Sequence, residues 1–317
     1  MTPADATALG AVLLGERVRS AVRLSGGLLN HVFRLILDDG RSVILKHAPP
    51  HIASQPDIPL DPSRASFEAA ALHWLQGRPE TGFATPRLLA HDDAALVMSD
   101  LGVLPDLSAW LSSGGSPAVL GVLARVLRRL HEDGSAPLQH NLPIQQTRLV
   151  VQYQAIGGLL ARAGVADAAA LGERAVALGD VLLGVGDTFV MGDLWPPSVL
   201  VGPRGRLSLI DWEMSTTGRR CQDLGHLAAH LWLGAARQQL APSLDATFLN
   251  AYGPVSPRDE EEVATHFAAE ILVRTHGAFQ PTPSDPPAVQ SRALAEAVAV
   301  LRGRGSYWLR MVGPLGS

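Results

Sequence analysis

The sequence changes its pattern near residue 102, where short apolar runs typical of β-strands give way to residues spaced as in α-helices. Strands are predicted before that point at residues 18–24, 30–37, 42–47 and 96–98. One helix is predicted among them, from an Asp61-Pro62 start to about Leu75. After residue 102 helices dominate, near residues 116–134, 167–183, 222–240, 259–277 and 287–304, with a β-hairpin at 198–210. The pattern predicts an α+β fold, with a small β-rich lobe at residues 1–102 and a larger helical lobe at 103–317.

Length and composition exclude several classes of protein. A hydrophobic fraction of 47% and a charged fraction of 18% describe an ordinary globular chain, and 317 residues suit two lobes. The formal net charge of −4 provides no general attraction to nucleic acid or anionic membranes. The single cysteine, Cys221, excludes an internal disulfide. With no basic leader and no membrane-spanning apolar stretch, the sequence predicts a cytoplasmic protein without nucleic-acid or membrane partners, and it leaves open whether the protein is a monomer or a homodimer.

The chain contains one lysine, Lys46, in the apolar β-type run at residues 42–47. Arginine cannot replace lysine where a compact ammonium must fit between phosphate oxygens and another side chain. The strand setting is typical of the phosphate-binding lysine of kinases. Glu68 shares a helical face with Leu72 and Leu75, and a carboxylate on a buried face needs a cation, so Glu68 is the predicted partner. The alternatives are a surface lysine left by an arginine-biased composition and a solvated glutamate.

A glycine-containing turn, Ser25-Gly26-Gly27, precedes Asn30 between the first two predicted strands. Glycines allow backbone amides to approach anionic oxygens without a Cβ in the way, so the turn is a candidate phosphate-binding loop. The alternative is an ordinary hairpin turn.

Two aspartates, Asp193 and Asp211, flank the predicted hairpin and are eighteen residues apart. Asp193 follows a β run and is placed to accept a proton from a substrate hydroxyl. Asp211 and Glu213 end the second hairpin strand, two residues apart, and could converge on one Mg²⁺ ion once the backbone leaves regular β geometry. Either aspartate alone could be a turn residue, but the pair at this spacing favours a functional site.

Together these residues resemble the aminoglycoside phosphotransferase/choline kinase-like family, whose fold is protein-kinase-like. That family carries a lysine on its third strand, a His-Gly-Asp-x-x-x-x-Asn catalytic loop and a downstream metal-binding aspartate. Lys46, Met191-Gly192-Asp193 with Ser198, and Asp211 stand at these positions. The resemblance implies a bilobal α+β fold, ATP as co-substrate and Mg²⁺, with Asp193 as the catalytic residue.

The same resemblance assigns further residues. Leu96–Leu101 is similar to the family's hinge, where the backbone of Ser99 and Leu101 would hold adenine behind Met98. Asp223 is similar to a structural aspartate at a helix start. Ser198 stands where the family has asparagine, and it is expected to share the metal with Asp211 and Glu213.

Within the family, the motifs are most similar to those of methylthioribose kinases and fungal 4-hydroxytryptamine kinases. The predicted activity is transfer of the ATP γ-phosphoryl group to a hydroxyl of a small metabolite, either a methylthioribose-like sugar or a hydroxylated aromatic amine. Met191 and Ser198, which depart from the family motif, leave open a nucleotide-binding pseudokinase. An antibiotic phosphotransferase is a further alternative, although the acidic run at 259–262 is more typical of a helix start. Trp195 and Trp212 could line an acceptor pocket or pack in the core.

Overall fold

The computed structural model describes residues 1–24, 29–78, 81–134, 136–137, 139–277, 279–280 and 284–303. The chain divides into two compact units, residues 1–104 with 208–215, and residues 105–207 with those from 216 on. The α+β class predicted from the sequence is confirmed.

The first unit is built on one antiparallel sheet with helices beside it. Its elements are α1 Pro3–Leu14, β1 Val18–Arg23, β2 His31–Leu37, β3 Ser42–His47, β4 His51–Ile52, β5 Gln55–Pro59, α2 Arg64–Leu75, β6 Leu88–His91 and β7 Ala95–Ser99. The sheet has the strand order β1-β2-β3-β7-β6, while β4 and β5 pair separately. β3 therefore has a partner on both sides, with Lys46 opposite Val32 on β2 and Leu96 on β7.

Strand alternation accounts for the core of this unit. Phe33, Leu35 and Leu37 on β2 are buried, and so are Val43 and Leu45 on β3, because alternate residues of a strand point to one face. Helix α1 covers this face, and its first turn is closed by a capping box between Thr2 and Asp5.

One predicted boundary in this unit is corrected by the structure, and some of its elements were not predicted. Helix α2 begins at Arg64 and not at Asp61-Pro62, because the Asp61 carboxylate accepts the Ser63 backbone N–H and closes a turn before the helix. Helix α1 and strand β6 were not predicted from the sequence.

The second unit is mainly helical. Its elements are α3 Leu107–Ser112, α4 Ala118–Glu132, α5 Leu142–Arg148, a π-helical turn Leu149–Tyr153, α6 Ala155–Arg162, α7 Ala168–Leu182, β8 Thr188–Val190, β9 Val199–Val201, β10 Leu207–Leu209, β11 Thr216–Gly218, α8 Cys221–Ala236, α9 Leu244–Tyr252, α10 Pro257–Thr275 and α11 Pro287–Leu301. The last two residues of β10 belong to the first unit. The five helices and the hairpin strands predicted beyond residue 102 are confirmed to within a few residues. Among the described helices, none is both long and apolar enough to cross a membrane.

Helix packing in this unit depends on close backbone approach at small residues. A Cβ built on Gly225 of α8 would lie 2.8 Å from the Val263 carbonyl oxygen of α10. On α7, a Cβ on Gly172 would lie 2.6 Å from the Gly157 Cα of α6. Real Cβ atoms do not approach backbone this closely, so both helix pairs require glycine at these contacts.

We expect Gly172→Ala to lower the free energy of unfolding by about 1–3 kcal/mol, because the added methyl forces α6 and α7 apart. Gly158→Ala is the matched control, since its Cβ would meet only the flexible Arg162 guanidinium at 3.4 Å on the exposed side of α6. Alanine favours the helical backbone there and should raise stability by about 0.5–1 kcal/mol. Chemical denaturation of both variants checks this, and equal stabilisation by the two substitutions would contradict it.

Candidate active site

Lys46 lies at the centre of a buried charge cluster in the first unit. Its Nζ is 2.6 Å from Glu68 Oε2, contacts Asp211 Oδ1 and is 3.6 Å from Glu213 Oε1. Only 7% of the lysine is exposed, so these carboxylates replace its hydration. The ion pair predicted between Lys46 and Glu68 is present.

Glu68 connects the lysine to the segment that follows β10. It projects from α2 and is 1% exposed. Its Oε1 accepts the backbone N–H of Trp212 at 3.2 Å, while Oε2 faces Lys46. The indole of Trp212 is fully buried and stacks on Phe83 with ring centroids 6.0 Å apart, so this tryptophan packs in the core of the first unit.

The backbone of Asp211 has left regular β geometry. Its φ is 74°, in the left-handed region that aspartate tolerates better than most residues. The side chain is one-third exposed, at 33%, although it contacts Lys46. An accessible carboxylate oxygen at this position is able to reach a ligand.

Glu213 is held more tightly than Asp211. Both of its oxygens accept the Asn30 side-chain amide at 2.8 Å, and Arg64 Nε lies 3.3 Å from Oε2. Asn30 in turn accepts a hydrogen bond from Arg64 Nε at 3.1 Å. Glu213 and Asn30 thus form one buried polar unit with Arg64.

Arg64 is a member of this cluster that sequence reasoning missed. It is 1% exposed, and its guanidinium donates to the backbone carbonyls of Leu29, Pro49 and Asp61 as well as to Asn30. The only sequence signal was its place one helical turn before Glu68 on the predicted helix. Because the carbonyls come from separate segments, their convergence is not readable from spacing.

The charges in the cluster shift one another's pKa. Burial alone would lower the pKa of Lys46, but the carboxylates of Asp211, Glu213 and Glu68 outweigh it and raise that pKa. Burial raises the pKa of Glu68 to about 7, opposed by Lys46 and assisted by the neighbouring carboxylates. The pKa of Glu213 is raised by burial as well.

Of the carboxylates around Lys46, one is well placed to bind a magnesium ion. Mg²⁺ prefers carboxylate oxygens together with substrate phosphates and water. Asp211 offers an accessible carboxylate, whereas both oxygens of Glu213 are occupied by Asn30. Asp211 is therefore the residue of this unit best placed to hold the ion.

The remaining predicted nucleotide-binding residues lie in two segments. Ser25, Gly26 and Gly27 fall outside the described residues. Met98 is buried on β7, and Ser99 ends that strand, its backbone N–H donating to the Arg87 carbonyl at 2.8 Å. Leu101 is partly exposed just beyond the strand.

Asp193 lies in the second unit, in a loop whose backbone is fixed by a buried carboxylate. Asp223, in the first turn of α8, accepts the backbone N–H groups of Met191 and Gly192 at 3.0 and 2.8 Å. His131 Nε2 lies 3.0 Å from the same carboxylate. Asp223 therefore braces the loop, in keeping with the structural role that the resemblance gave it.

The Asp193 side chain faces two nitrogen groups. Arg148 Nη2 and His226 Nε2 lie 3.2 and 3.3 Å from Asp193 Oδ1. About 19% of the aspartate side chain is exposed, so it is accessible to a small substrate. Neither Arg148 nor His226 was predicted from the sequence.

Ser198 lies at the end of the same loop and is 1% exposed. Its hydroxyl donates to the Trp195 carbonyl at 2.8 Å and accepts the Trp195 N–H at 3.1 Å. These bonds close the short 3₁₀ turn Pro196–Ser198 and shape the loop that carries Asp193.

A cavity of about 540 Å³ opens beside this loop in the second unit. Its walls include an aromatic side chain together with hydroxyl, imidazole and guanidinium groups. Six of the lining residues are Asp106, Ser108, Trp195, Pro197, His230 and Arg237. Asp106 already caps α3, and Arg237 forms a two-bonded pair with Asp285.

Comparison with solved structures identifies the fold class. The chain is similar to a putative fructosamine-3-kinase from Thermobifida fusca, with a TM-score of 0.57 and 20% identity, covering 93% of this chain and 98% of that one. It is also similar to a choline kinase from Streptococcus pneumoniae, with a TM-score of 0.52 and 17% identity, covering 90% of this chain and 94% of that one. At these identities the likeness shows the fold alone, the bilobal α+β fold of small-molecule kinases.

The sequence itself defines the family. Residues 20–266 match the Phosphotransferase enzyme family. The chain belongs to this family, and it is an enzyme that transfers phosphate to a hydroxyl group. Among curated relatives, it is 26% identical over 266 residues to a 4-hydroxytryptamine kinase of Psilocybe cyanescens, covering 73% of both chains. It is 26% identical over 291 residues to a 4-hydroxytryptamine kinase of Psilocybe cubensis, covering 80% of both.

The raised pKa of Glu68 predicts a pH-dependent stability. A carboxyl whose pKa is about 7 when folded and 4.5 when unfolded holds its proton more tightly in the native state. Its contribution is present below pH 4.5 and is lost as the pH rises through about 7. We therefore expect the free energy of unfolding to fall between these pH values, and to fall less in Glu68→Gln.

Urea unfolding of both proteins at four pH values across this window checks the expectation. Glu16→Gln is the matched control, because Glu16 is exposed and its ion-pair partner, Arg41, is exposed as well. A Glu68→Gln variant that loses stability with pH as steeply as the wild type would contradict the assignment.

Proposed function

We propose that this protein is an ATP- and Mg²⁺-dependent kinase that transfers the γ-phosphoryl group to a hydroxyl of a small metabolite. The observation that carries the proposal is the buried Lys46 ammonium between Glu68 and Asp211. A lysine paired with a helix carboxylate, beside an accessible aspartate, is the arrangement with which kinases grip nucleotide phosphates. Membership of a phosphotransferase family supports it.

In this proposal the first lobe, at residues 1–102, binds the nucleotide. Lys46, oriented by Glu68, contacts the α- and β-phosphates, while the segment from Ser25 to Asn30 covers the triphosphate. The hinge at Met98, Ser99 and Leu101 holds adenine. When bound, Mg²⁺ neutralises charge on the phosphates, and Asp211 would hold it, with Glu213 and Ser198 as further candidate ligands.

The helical lobe, at residues 103–317, carries the acceptor chemistry. Asp193 orients the acceptor hydroxyl and takes its proton as the phosphoryl group is transferred. The bracing of its loop by Asp223 supports this role, because catalysis of this kind depends on positioning. A cytoplasmic protein acting as a monomer or homodimer fits the proposal.

The acceptor we propose is a hydroxylated aromatic amine or a methylthioribose-like sugar. The names of the fungal relatives favour the former. The cavity lined by the far end of the Asp193 loop offers the ring of Trp195 as a flat wall for an indole or a sugar face, and Ser108 as a hydrogen-bonding group. Of its charged residues, Arg237 is paired with Asp285, whereas the Asp106 carboxylate accepts only a backbone N–H in the contacts described and keeps its negative charge.

Incubation with MgATP and a panel containing 4-hydroxytryptamine, methylthioribose, choline and spectinomycin, read by mass spectrometry, tests the proposal. We expect a product heavier by one phosphoryl group from one of the first two acceptors. Thermal stabilisation by nucleotide without turnover of any hydroxyl compound would instead support the pseudokinase alternative.

Asp193→Asn should reduce kcat by about 10³-fold or more, because the amide cannot accept the hydroxyl proton. Binding of MgATP, followed by calorimetry, should be retained, since nucleotide contacts are assigned to the other lobe. Asp180→Asn, at an exposed position of α7, is the control and should keep the wild-type rate. Turnover by Asp193→Asn at the wild-type rate would remove Asp193 from the mechanism.

Lys46→Arg preserves the positive charge and should still weaken ATP use at least tenfold, because the planar guanidinium does not fit the space of a 7%-exposed ammonium beside buried Arg64. The ATP dependence of the initial rate measures this. Arg41→Lys, an exchange of the same two residue types at an exposed turn, serves as control. An unchanged KM and kcat in Lys46→Arg would show that the lone lysine has no special role.

A further inference from the structure

The second unit contains a buried cluster of histidines and a carboxylate that the proposed reaction does not use. Its members project from the neighbouring helices α8 and α10 beneath the Asp193 loop. They are His226 and His230 from α8, and His266 and Glu270 from α10. His226 and Glu270 are each 2% exposed.

His226 lies between two carboxylates. Its Nε2 is 3.3 Å from Asp193 Oδ1, and its Nδ1 is 3.7 Å from Glu270 Oε2. Neither ring nitrogen completes a hydrogen bond of good geometry within the described residues. A buried imidazole with two unsatisfied nitrogens, each facing an acceptor, is costly unless the site uses it.

The charges around His226 favour its neutral form. Burial lowers its pKa well below the usual range, against the attraction of Glu270. His230, Arg148 and His266 face the same ring and lower that pKa further. A neutral imidazole has one N–H, so it can donate to only one of the two carboxylates.

Glu270 is already fixed by other donors. Arg274 Nε donates to Oε1 at 2.6 Å and Gln152 Nε2 donates to Oε2 at 2.8 Å. His230 Nε2 lies 3.2 Å from Oε1. Burial would raise the pKa of Glu270, but His226, Arg274 and His230 together hold it well below the usual range. Glu270 is therefore an immobile anion that does not need the His226 proton.

The same contacts argue against a metal ion in this cluster. His226, His230 and Glu270 offer three ligand atoms that lie within 4.8 Å of one another. Both Glu270 oxygens are occupied, however, and the Arg274 guanidinium is bonded to one of them. A divalent ion would have to displace these donors and lie next to a cation, so hydrogen bonding is the better use of the imidazole.

We propose that His226 is a positioning residue for Asp193, with its single N–H on Nε2 and directed at Asp193 Oδ1, 3.3 Å away, a loose contact that shortens into a hydrogen bond as Asp193 takes up the acceptor hydroxyl. Arg148 holds the same oxygen at 3.2 Å. Arg148 and His226 thus both face Oδ1, and we assign to their contacts the orientation of the carboxylate that receives the acceptor hydroxyl. This role rests on the proposed function of Asp193 as proton acceptor.

Glutamine and asparagine substitutions separate this role from simple packing. The Gln amide nitrogen can occupy the position of His Nε2, whereas the Asn amide nitrogen occupies that of Nδ1. With MgATP and 4-hydroxytryptamine or methylthioribose, we expect His226→Gln to stay within about threefold of the wild-type kcat. His226→Asn and His226→Leu should lose about 10- to 100-fold in kcat at unchanged KM for ATP, the usual effect of a displaced catalytic group.

Thermal unfolding of each variant, together with His140→Gln as control, completes the experiment. His140 lies in the same unit, 3.0 Å from the Leu183 carbonyl, and its substitution should leave kcat unchanged. Equal activity of the Gln and Asn variants, or a loss that follows only their melting temperatures, would overturn the role of His226 while leaving the kinase intact. A wild-type protein that phosphorylates no acceptor of the four-compound panel would overturn the proposed function and this role with it.

Discussion

The arrangement of the first unit depends on how the charge of one buried ammonium, that of Lys46, is compensated. Lys46 loses nearly all of its hydration on β3, and an isolated charge in that position would cost several kcal/mol. Glu68 on α2 and Asp211 in the segment after β10 contact the ammonium and replace this lost hydration. Because the lysine cannot remain buried without them, sheet, helix and loop are held in one arrangement. The phosphate-binding function we propose therefore uses a group that the fold already has to orient.

In the second unit, a buried carboxylate fixes the backbone of the loop that carries Asp193. Asp223 bonds the backbone amides of Met191 and Gly192 directly, so the loop conformation does not depend on the side chain at position 191. This explains how methionine can stand where the motif of the resembled family has histidine, since His131 contacts the same carboxylate from α4. The departure from the family motif is thus compatible with a braced loop, which weakens its value as a sign of lost activity.

The sequence allowed the local part of this architecture to be predicted. Lys46 and Glu68 could be paired because helical periodicity placed the glutamate on a buried face and the chain offers a single lysine. Arg64 escaped prediction, since arginine is common here and its partners, three backbone carbonyls and the side chains of Asn30 and Glu213, are brought together only by folding. His226 and Glu270 escaped for a similar reason, as their helices are separated in sequence and carry no spacing that marks them as neighbours of Asp193.

The contacts of the candidate metal-binding residues indicate how such an enzyme would hold magnesium. Glu213 and Ser198 resemble metal ligands in sequence, yet in this structure both Glu213 oxygens accept the Asn30 amide and one of them also faces Arg64, while the Ser198 hydroxyl bonds to Trp195. Asp211 keeps an accessible oxygen, in a backbone conformation that points it away from the strand. Mg²⁺ is commonly held by one or two carboxylates and completes its shell with phosphate oxygens and water. Metal affinity in this chain should therefore depend on bound nucleotide more than on a preformed protein cage.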